Sequence, residues 1–171
     1  MKNSLKLKLT SLFAAVICVP LLSSGGACGA DAGAKVPAVM RSQLASLAKS
    51  NTPVVLPTWL PNLKDAKYAL SEPHNEGKLD YELWIATEPH GATYCTMFYI
   101  TGGKRRPAHS KRTVALGKGR TGYLMRANNW RVVEWADGKY GYRLAIVQSL
   151  ATEADLLRMA KSVVTVSPAA H

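Results

Sequence analysis

Apolar and polar residues alternate along most of the chain after residue 65, in short runs separated by turn-forming residues. In the run from 79 to 87, Leu83 and Ile85 alternate with Glu82 and Trp84. A period of two places successive side chains on opposite faces of an extended chain, so these runs are predicted to be β-strands. The predicted strands, which are rich in β-branched and aromatic residues, cover residues 66–71, 79–87, 92–101, 112–116, 122–127, 130–136 and 140–148.

Two segments have helical spacing instead. Residues 36–49 predict a short N-terminal helix, whose apolar face would carry Val36, Met40, Leu44, Leu47 and Ala48. Residues 152–162 predict a second helix that begins at Thr152, with Asp155 completing a capping-box pattern. This helix should cover one face of an antiparallel sheet with an apolar face formed by Leu156, Leu157, Ala160, Val163 and Val164.

Prolines and glycines mark the breaks between these elements. Residues 52–61 carry prolines at a spacing that no helix tolerates, so this segment is predicted to be extended. Asp137 and Gly138 lie between two predicted strands and favour a type I′ hairpin turn, in which both central residues have positive φ. The pattern therefore predicts an α+β fold with a single antiparallel β-sheet, a covering C-terminal helix and a short N-terminal helix.

The first residues have the features of an export signal. Lys2, Lys6 and Lys8 precede an apolar run at 12–22 that is too short to span a bilayer and is followed by small residues. We predict a signal at residues 1–27, with cleavage near 27–32. The segment before Cys28 is similar to a bacterial lipoprotein box, although Gly25 stands where such boxes usually carry leucine. Cys28 is therefore a candidate lipid-attachment site, and ordinary cleavage without lipid is the alternative.

The remaining length suits one domain. We assign residues 28–35 to a linker of small residues, 36–167 to a single α+β domain and 168–171 to a tail. Cys18 would leave with the signal, so Cys95 would have only Cys28 as a partner. Cys95 lies in a predicted strand and is expected to be a small buried hydrophobic residue; a bridge to Cys28 and a reactive thiol are the alternatives.

The chain is basic, with 22 Lys and Arg against 11 Asp and Glu. Nine of these positive residues lie between Glu88 and Glu134, where no acidic residue occurs. A field of one sign attracts anionic surfaces, although a solvated basic face without a ligand is the alternative. The candidate residues for binding an anionic partner are Lys104, Arg105, Arg106, Lys111 and Arg112.

Several apparent motifs carry little weight. Residues 117–122 match G-x-G-x-x-G, but a strand rather than a helix is predicted to follow, so a glycine-rich turn is favoured over a dinucleotide site. The tripeptides that end at His74 and His90 flank a predicted strand, which would hold them more than about 25 Å apart. We therefore predict neither a metal site nor a bound cofactor.

The aromatic residues are expected mostly in the core, because aromatic pairs stabilise sheets without any ligand. The alternative is a concave apolar surface that holds a ligand. The candidate residues for such an apolar groove are Trp59, Trp84 and Trp135.

Four segments together carry a resemblance to known proteins. They are residues 54–61 (Val-Val-Leu-Pro-Thr-Trp-Leu-Pro), the run from Thr113 to Leu124, residues 135–142 (Trp-Ala-Asp-Gly-Lys-Tyr-Gly-Tyr) and residues 153–163. In this order the chain resembles bacterial envelope proteins that carry a C-terminal domain of unknown function. Those proteins are similar in fold to the periplasmic lipoprotein carrier LolA and the envelope-stress regulator RseB. The resemblance covers residues 53–166 and rests on residues that determine the fold rather than on catalytic ones. It therefore implies a curved sheet in an exported protein and does not imply an activity.

Two functional hypotheses follow. The first is an exported, non-enzymatic binding module, periplasmic or anchored to the outer membrane, that holds an apolar or anionic envelope ligand or partner. It would bind no specific nucleic acid and would associate with the membrane through Cys28 if lipidated. The second is an envelope hydrolase that uses His74 or His90 with neighbouring carboxylates. The sequence lacks the common hydrolase motifs, which disfavours the second hypothesis.

Overall fold

The computed structural model describes residues 33–73, 79–88, 96–107 and 112–166. Residues 33–35 are helical, and two short helices follow, α1 at Ala38–Arg41 and α2 at Leu44–Leu47. A longer helix, α3, lies at Glu153–Lys161. The nine strands are β1 (Val54–Pro57), β2 (Tyr68–Pro73), β3 (Tyr81–Ala86), β4 (Thr96–Gly103), β5 (Thr113–Gly117), β6 (Arg120–Ala127), β7 (Trp130–Asp137), β8 (Tyr140–Val147) and β9 (Val163–Val166).

Seven strands form one open antiparallel sheet in the order β2-β3-β4-β8-β7-β6-β5. All its pairings are antiparallel, and most join strands that follow one another along the chain. The exception is the pairing of β4 with β8, because β8 lies between β4 and β7. The predicted α+β class with an antiparallel sheet is therefore confirmed.

One face of this sheet carries the core, and we call it the core face. Its fully buried side chains come from alternate positions of the central strands, including Leu83, Ile85, Ile100, Leu144 and Ile146. Helix α3 contacts β5, β7 and β8, and buries Leu156, Met159 and Ala160 against the cluster. Helices α1 and α2 contact β2. The period-two pattern thus places one apolar face against the helices.

The prediction of a single sheet is wrong, because β1 and β9 form a separate antiparallel pair. Val163 and Val164 were predicted on the apolar face of the helix, but α3 ends at Lys161 and both valines lie in β9. Their β-branched side chains favour an extended backbone once β1 supplies partners for the backbone hydrogen bonds. A strand pair of this kind depends on a contact between residues more than 100 positions apart.

Two buried tyrosines tie β1 to the sheet. The hydroxyl of Tyr81 accepts a hydrogen bond from the Val55 amide at 3.0 Å, and the hydroxyl of Tyr142 donates to the Pro53 carbonyl at 3.2 Å. Burial raises the pKa of Tyr81 well above its ordinary value. The Tyr81 ring also packs over Gly102, where an added Cβ would collide with the ring. Gly102 therefore allows Tyr81 to lie flat on the neighbouring strand.

Two local predictions differ from the structure in detail. The N-terminal helix is interrupted at residues 42 and 43, so α1 and α2 replace one helix over residues 36–49. In the hairpin between β7 and β8, Asp137 pairs with Tyr140, so Gly138 and Lys139 are the central residues. Only Gly138 of these two has positive φ, at 58°. This is the pattern of a type II′ turn rather than the predicted type I′ turn.

The glycine-rich segment is a hairpin turn, as the sequence favoured. Gly117, Lys118 and Gly119 have φ values of 77°, 51° and 73° and connect β5 to β6. A strand follows the motif directly, so the helix N-terminus that a dinucleotide site requires is not formed there.

Candidate functional site

The face of the large sheet opposite the core face, which we call the outer face, carries a row of polar residues. Glu82, Thr101, Arg143 and Glu134 lie on four successive strands, and each is the register partner of the next. The row beside it is mainly apolar, with Trp84 paired to Tyr99 and Tyr99 paired to Ala145. The outer face is therefore amphipathic rather than uniformly solvated.

A buried carboxylate holds the polar row together. The side chain of Glu134 is 0% exposed, and its Oε1 atom accepts hydrogen bonds from Arg105 Nη2 and Arg143 Nε, both at 2.5 Å. Burial opposes the positive charge of Arg143, but its hydrogen bond and attraction to Glu134 outweigh that cost and raise the pKa of Arg143. Glu134 therefore holds both guanidinium groups in fixed positions.

Arg105 reaches this row from the segment after β4. Its carbonyl packs against Gly141 so closely that an added Cβ there would overlap with the backbone of Arg105. Gly141 pairs with Gly103, two residues before Arg105. The absence of a side chain at Gly141 thus lets the chain turn inward and bring the Arg105 guanidinium to Glu134.

A cavity of about 270 Å³ opens on the outer face beside the two arginines. Aromatic rings form part of its wall: Tyr99 lies 6.1 Å from Trp84 and 5.1 Å from Trp130, measured between ring centroids. The Nε1 atom of Trp84 donates to Glu82 at 3.1 Å, which fixes both side chains. We call this cavity the central pocket; it is lined by Glu82, Trp84, Thr96, Tyr99, Thr101, Arg105, Trp130 and Arg143.

Two hydroxyl groups in the central pocket have no partner. Thr96 and Thr101 are 3% and 2% exposed, and the Oγ1 atom of each makes no hydrogen bond. An unsatisfied buried hydroxyl costs about 1–3 kcal/mol, and most buried polar groups in folded proteins have a partner. Both threonines line the central pocket, so rotation about χ1 would turn either hydroxyl toward a bound molecule that supplies the missing hydrogen bond.

A second, smaller cavity of about 240 Å³ lies near the start of α3 and is lined by Arg112, Leu124, Met125, Arg126, Arg131 and Glu153. Arg112 donates to both oxygens of Glu153, at 2.7 and 2.6 Å. Arg131 donates from Nε to the Ala151 carbonyl at 3.1 Å. Two of the three arginines that line this cavity therefore already make hydrogen bonds within the fold.

The predicted basic residues do not form one uniform cationic face. Lys104 and Arg106 are exposed, whereas Arg105 turns inward to Glu134 and Arg112 pairs with Glu153. The field of one sign expected from the sequence is therefore wrong for Arg105 and Arg112, because distant strands and α3 bring Glu134 and Glu153 to them. Lys111 lies outside the described residues.

The three tryptophans predicted to share a groove lie in different places. Trp84 lines the central pocket on the outer face. Trp135 is fully buried on the core face and stacks on Tyr142 at 5.5 Å between centroids. Trp59 follows β1 and packs under the Arg158 guanidinium, 4.0 Å from its ring. The groove built from Trp59, Trp84 and Trp135 is therefore not formed.

The other candidates from the sequence cannot be placed. Cys28, Cys95, His74 and His90 lie outside the described residues. Among residues 33–73, 79–88, 96–107 and 112–166, no group of three or more His, Cys, Asp or Glu side chains could hold a metal ion. Within the same segments, no helix combines the length and the hydrophobicity that crossing a membrane requires.

Sequence reasoning missed most of the central pocket. Thr96, Tyr99 and Thr101 occupy outward positions of one strand, in which the intervening residues are apolar. The sequence did contain a signal for the pocket. The outer face of β4 carries one aromatic and two hydroxyl-bearing residues, which indicates that this face contacts more than bulk water. This face can be recognised as part of a pocket only together with Arg143 and Trp130, which lie more than 25 residues away along the chain.

Comparison of the chain with protein-family models, with curated proteins and with solved structures finds no match. The resemblance to LolA-like and RseB-like envelope proteins therefore stays a prediction. The class of molecule that the geometry defines is an antiparallel-sheet domain of the α+β class with a polar and aromatic pocket on its outer face.

Proposed function

We propose that this chain is a non-enzymatic binding module of the bacterial envelope and that it holds a small ligand in the central pocket. The observation that carries the proposal is the pair of buried, unpartnered hydroxyls of Thr96 and Thr101 beside an aromatic wall. Pockets that combine apolar walls with a few convergent polar groups are the usual form of small-ligand sites.

The hydrolase alternative receives no support from the described residues of the pocket. Glu134 fixes the two arginines of the pocket, and the described residues of the lining include neither a histidine nor a cysteine. General acid–base catalysis usually needs a group that gains and loses a proton near neutral pH. The lining residues instead suit binding, because they offer fixed donors, fixed acceptors and flat apolar surface.

The location in the envelope rests on the first 28 residues. Residues 1–27 would direct export, and Cys28 would anchor the mature chain to the outer membrane through a lipid. In this arrangement the sheet would curve around α3, as in the proteins that the chain resembles. The contacts of α3 with β1, β5, β7 and β8 support such a curvature, because one helix reaches both the sheet and the separate strand pair.

The location is tested by expressing the full chain in a Gram-negative bacterium that is fed a labelled fatty acid. We expect the protein in the envelope fraction, with label incorporated into the wild type and not into Cys28→Ser. Recovery of unprocessed protein in the cytoplasm would contradict export, and unlabelled protein in the periplasm would contradict only the lipid anchor.

Binding is tested with N-phenyl-1-naphthylamine, a neutral aromatic dye whose fluorescence increases in apolar sites. We expect saturable binding to the processed protein that weakens in Trp84→Ala and in Trp130→Ala. Tyr68→Ala is the matched control, because Tyr68 is 39% exposed on the same sheet and does not line the pocket. Equal binding by all four proteins would contradict a ligand site at the central pocket.

A further inference from the structure

We infer that the ligand of the central pocket is a neutral, polyhydroxylated molecule, namely a saccharide ring. This inference rests on the proposed binding function and adds the chemical class of the ligand. It follows from three properties of the lining: its aromatic surfaces, its mixture of donors and acceptors, and its balance of charge.

The aromatic wall offers more than one orientation of flat apolar surface. The planes of Trp84 and Tyr99 are inclined by 37°, and those of Tyr99 and Trp130 by 66°. A sugar ring presents C–H groups on its faces and hydroxyl groups at its edge, so it can place a face on one ring while its edge points elsewhere. The three side chains are partly exposed and therefore accessible to such a ring.

The polar groups of the pocket require a ligand that both donates and accepts hydrogen bonds. The hydroxyls of Thr96 and Thr101 can do either, Glu82 only accepts, and the guanidinium groups only donate. A hydroxyl group can serve all three types, because its single oxygen both donates and accepts hydrogen bonds. A hydrocarbon chain would leave both threonine hydroxyls unsatisfied, which costs affinity.

The charges around the pocket disfavour an anionic ligand. Arg105 and Arg143 share one oxygen of Glu134, and Glu82 lies three strands from Glu134 in the same row. The formal charges of these four residues sum to zero. A ligand carboxylate would have to compete with Glu134 for both guanidinium groups, whereas a neutral hydroxyl can accept from them without adding a second anion.

The size of the pocket agrees with this class. Its volume of about 270 Å³ lies just below the range for small-molecule sites, which is about 300–1,000 Å³. A single sugar ring, free or at the end of a glycan, is therefore the unit that the pocket would recognise.

The experiment measures displacement of N-phenyl-1-naphthylamine, and then calorimetric binding, with glucose, galactose, mannose and N-acetylglucosamine as neutral probes. Glucuronate is the anionic match of glucose, and octanoate is an apolar anion without hydroxyls. We expect at least one neutral sugar to bind and displace the dye. Glucuronate should bind at least tenfold more weakly than glucose if glucose is a ligand, and octanoate should not reproduce the sugar's displacement.

Thr101→Val separates a binding role from a structural one. Valine keeps the shape and removes a hydroxyl that has no partner in the fold, so thermal stability should be unchanged or higher. Sugar affinity should fall about tenfold, the effect of one lost hydrogen bond. Thr121→Val is the control, because Thr121 is exposed on β6 outside the pocket lining and its replacement should leave affinity unchanged.

The outcomes distinguish the two proposals. If the dye binds in a Trp84-dependent way but no neutral sugar displaces it, or if glucuronate or octanoate displaces it better, the saccharide inference is wrong and the binding module stands. Equal sugar affinity for wild type and Thr101→Val also overturns the inference. Failure of the dye to respond to either tryptophan substitution would remove both proposals.

Discussion

Arg143 on β8 donates from Nε to the carboxylate of Glu134 on β7 at 2.5 Å, and that carboxylate has no exposed surface. The two residues are register partners in the sheet, so the strand pairing itself sets their separation. Arg105 arrives at the same oxygen from a different segment. One buried charge therefore connects the sheet, the chain after β4 and the wall of the central pocket.

Replacing Glu134 with glutamine should strongly destabilise the fold, because two guanidinium groups would lose the carboxylate that balances them. We expect a loss of about 3 kcal/mol, the lower end for breaking a buried ion pair, since both arginines remain partly exposed. Glu153→Gln breaks the exposed pair with Arg112 and should cost less than about 1 kcal/mol. Urea unfolding measures both, and equal losses would contradict a special role for Glu134.

Gly141→Ala should disturb the central pocket from a distance. The new Cβ would overlap with the Arg105 carbonyl, so this backbone segment must move and carry the guanidinium away from Glu134. We expect a lower melting temperature together with weaker dye binding. Gly138→Ala is the comparison for this prediction. Alanine is unfavourable in the turn because residue 138 has positive φ, but nothing lies within 4 Å of the new Cβ. It should lower stability and leave dye affinity unchanged.

Leu156 and Leu157 on α3 should respond differently to truncation. Leu156 is fully buried, so Leu156→Ala should cost about 2–5 kcal/mol through lost burial and a cavity. Leu157 is half-buried at the edge of the core, and Leu157→Ala should cost about 1 kcal/mol. Denaturant unfolding tests the order, and a larger loss at Leu157 would contradict the observed orientation of α3.

The start of α3 should contribute pH-dependent stability. Hydrogen bonds from the side chain and amide of Thr152 lower the pKa of the Asp155 carboxyl. A carboxyl whose pKa is lower in the folded state stabilises the protein above its ordinary pKa and loses that effect as pH falls through the lowered value. Thr152→Ala should therefore cost about 1 kcal/mol at pH 7 and less near pH 2. A cost that does not change with pH would argue against the coupling of these residues.

Lys104 and Arg106 should account for any weak attraction to anionic membranes. Both are exposed and adjacent to the inward-turned Arg105. Changing both to serine should reduce sedimentation with anionic vesicles at low salt, and physiological salt should weaken binding of the wild type as well. Lys161, exposed at the end of α3, provides a single-charge control. Binding that does not depend on Lys104 and Arg106 would leave them as a solvated surface.

The sequence by itself determined the antiparallel strands and the capped helix at 153–161, because these elements depend on local patterns. Alternation sets which side chains share a face, and Thr152 with Asp155 sets where the helix begins. The glycine-rich segment was also assigned correctly to a turn, since the residues that follow it are strand-like. These features need only neighbours within a few positions of each other.

The tertiary structure alone decided which distant residues meet. It separated Trp59, Trp84 and Trp135 onto different surfaces, moved Val163 and Val164 from a helix into β9, and placed Arg105 on Glu134 rather than in solvent. Each outcome depends on the order of the strands in the sheet and on contacts between residues that are far apart in the sequence. The local spacing of apolar residues specifies neither of these. The central pocket exists because β4 and β7 both flank β8, and that order places Thr101, Arg143 and Glu134 in one row.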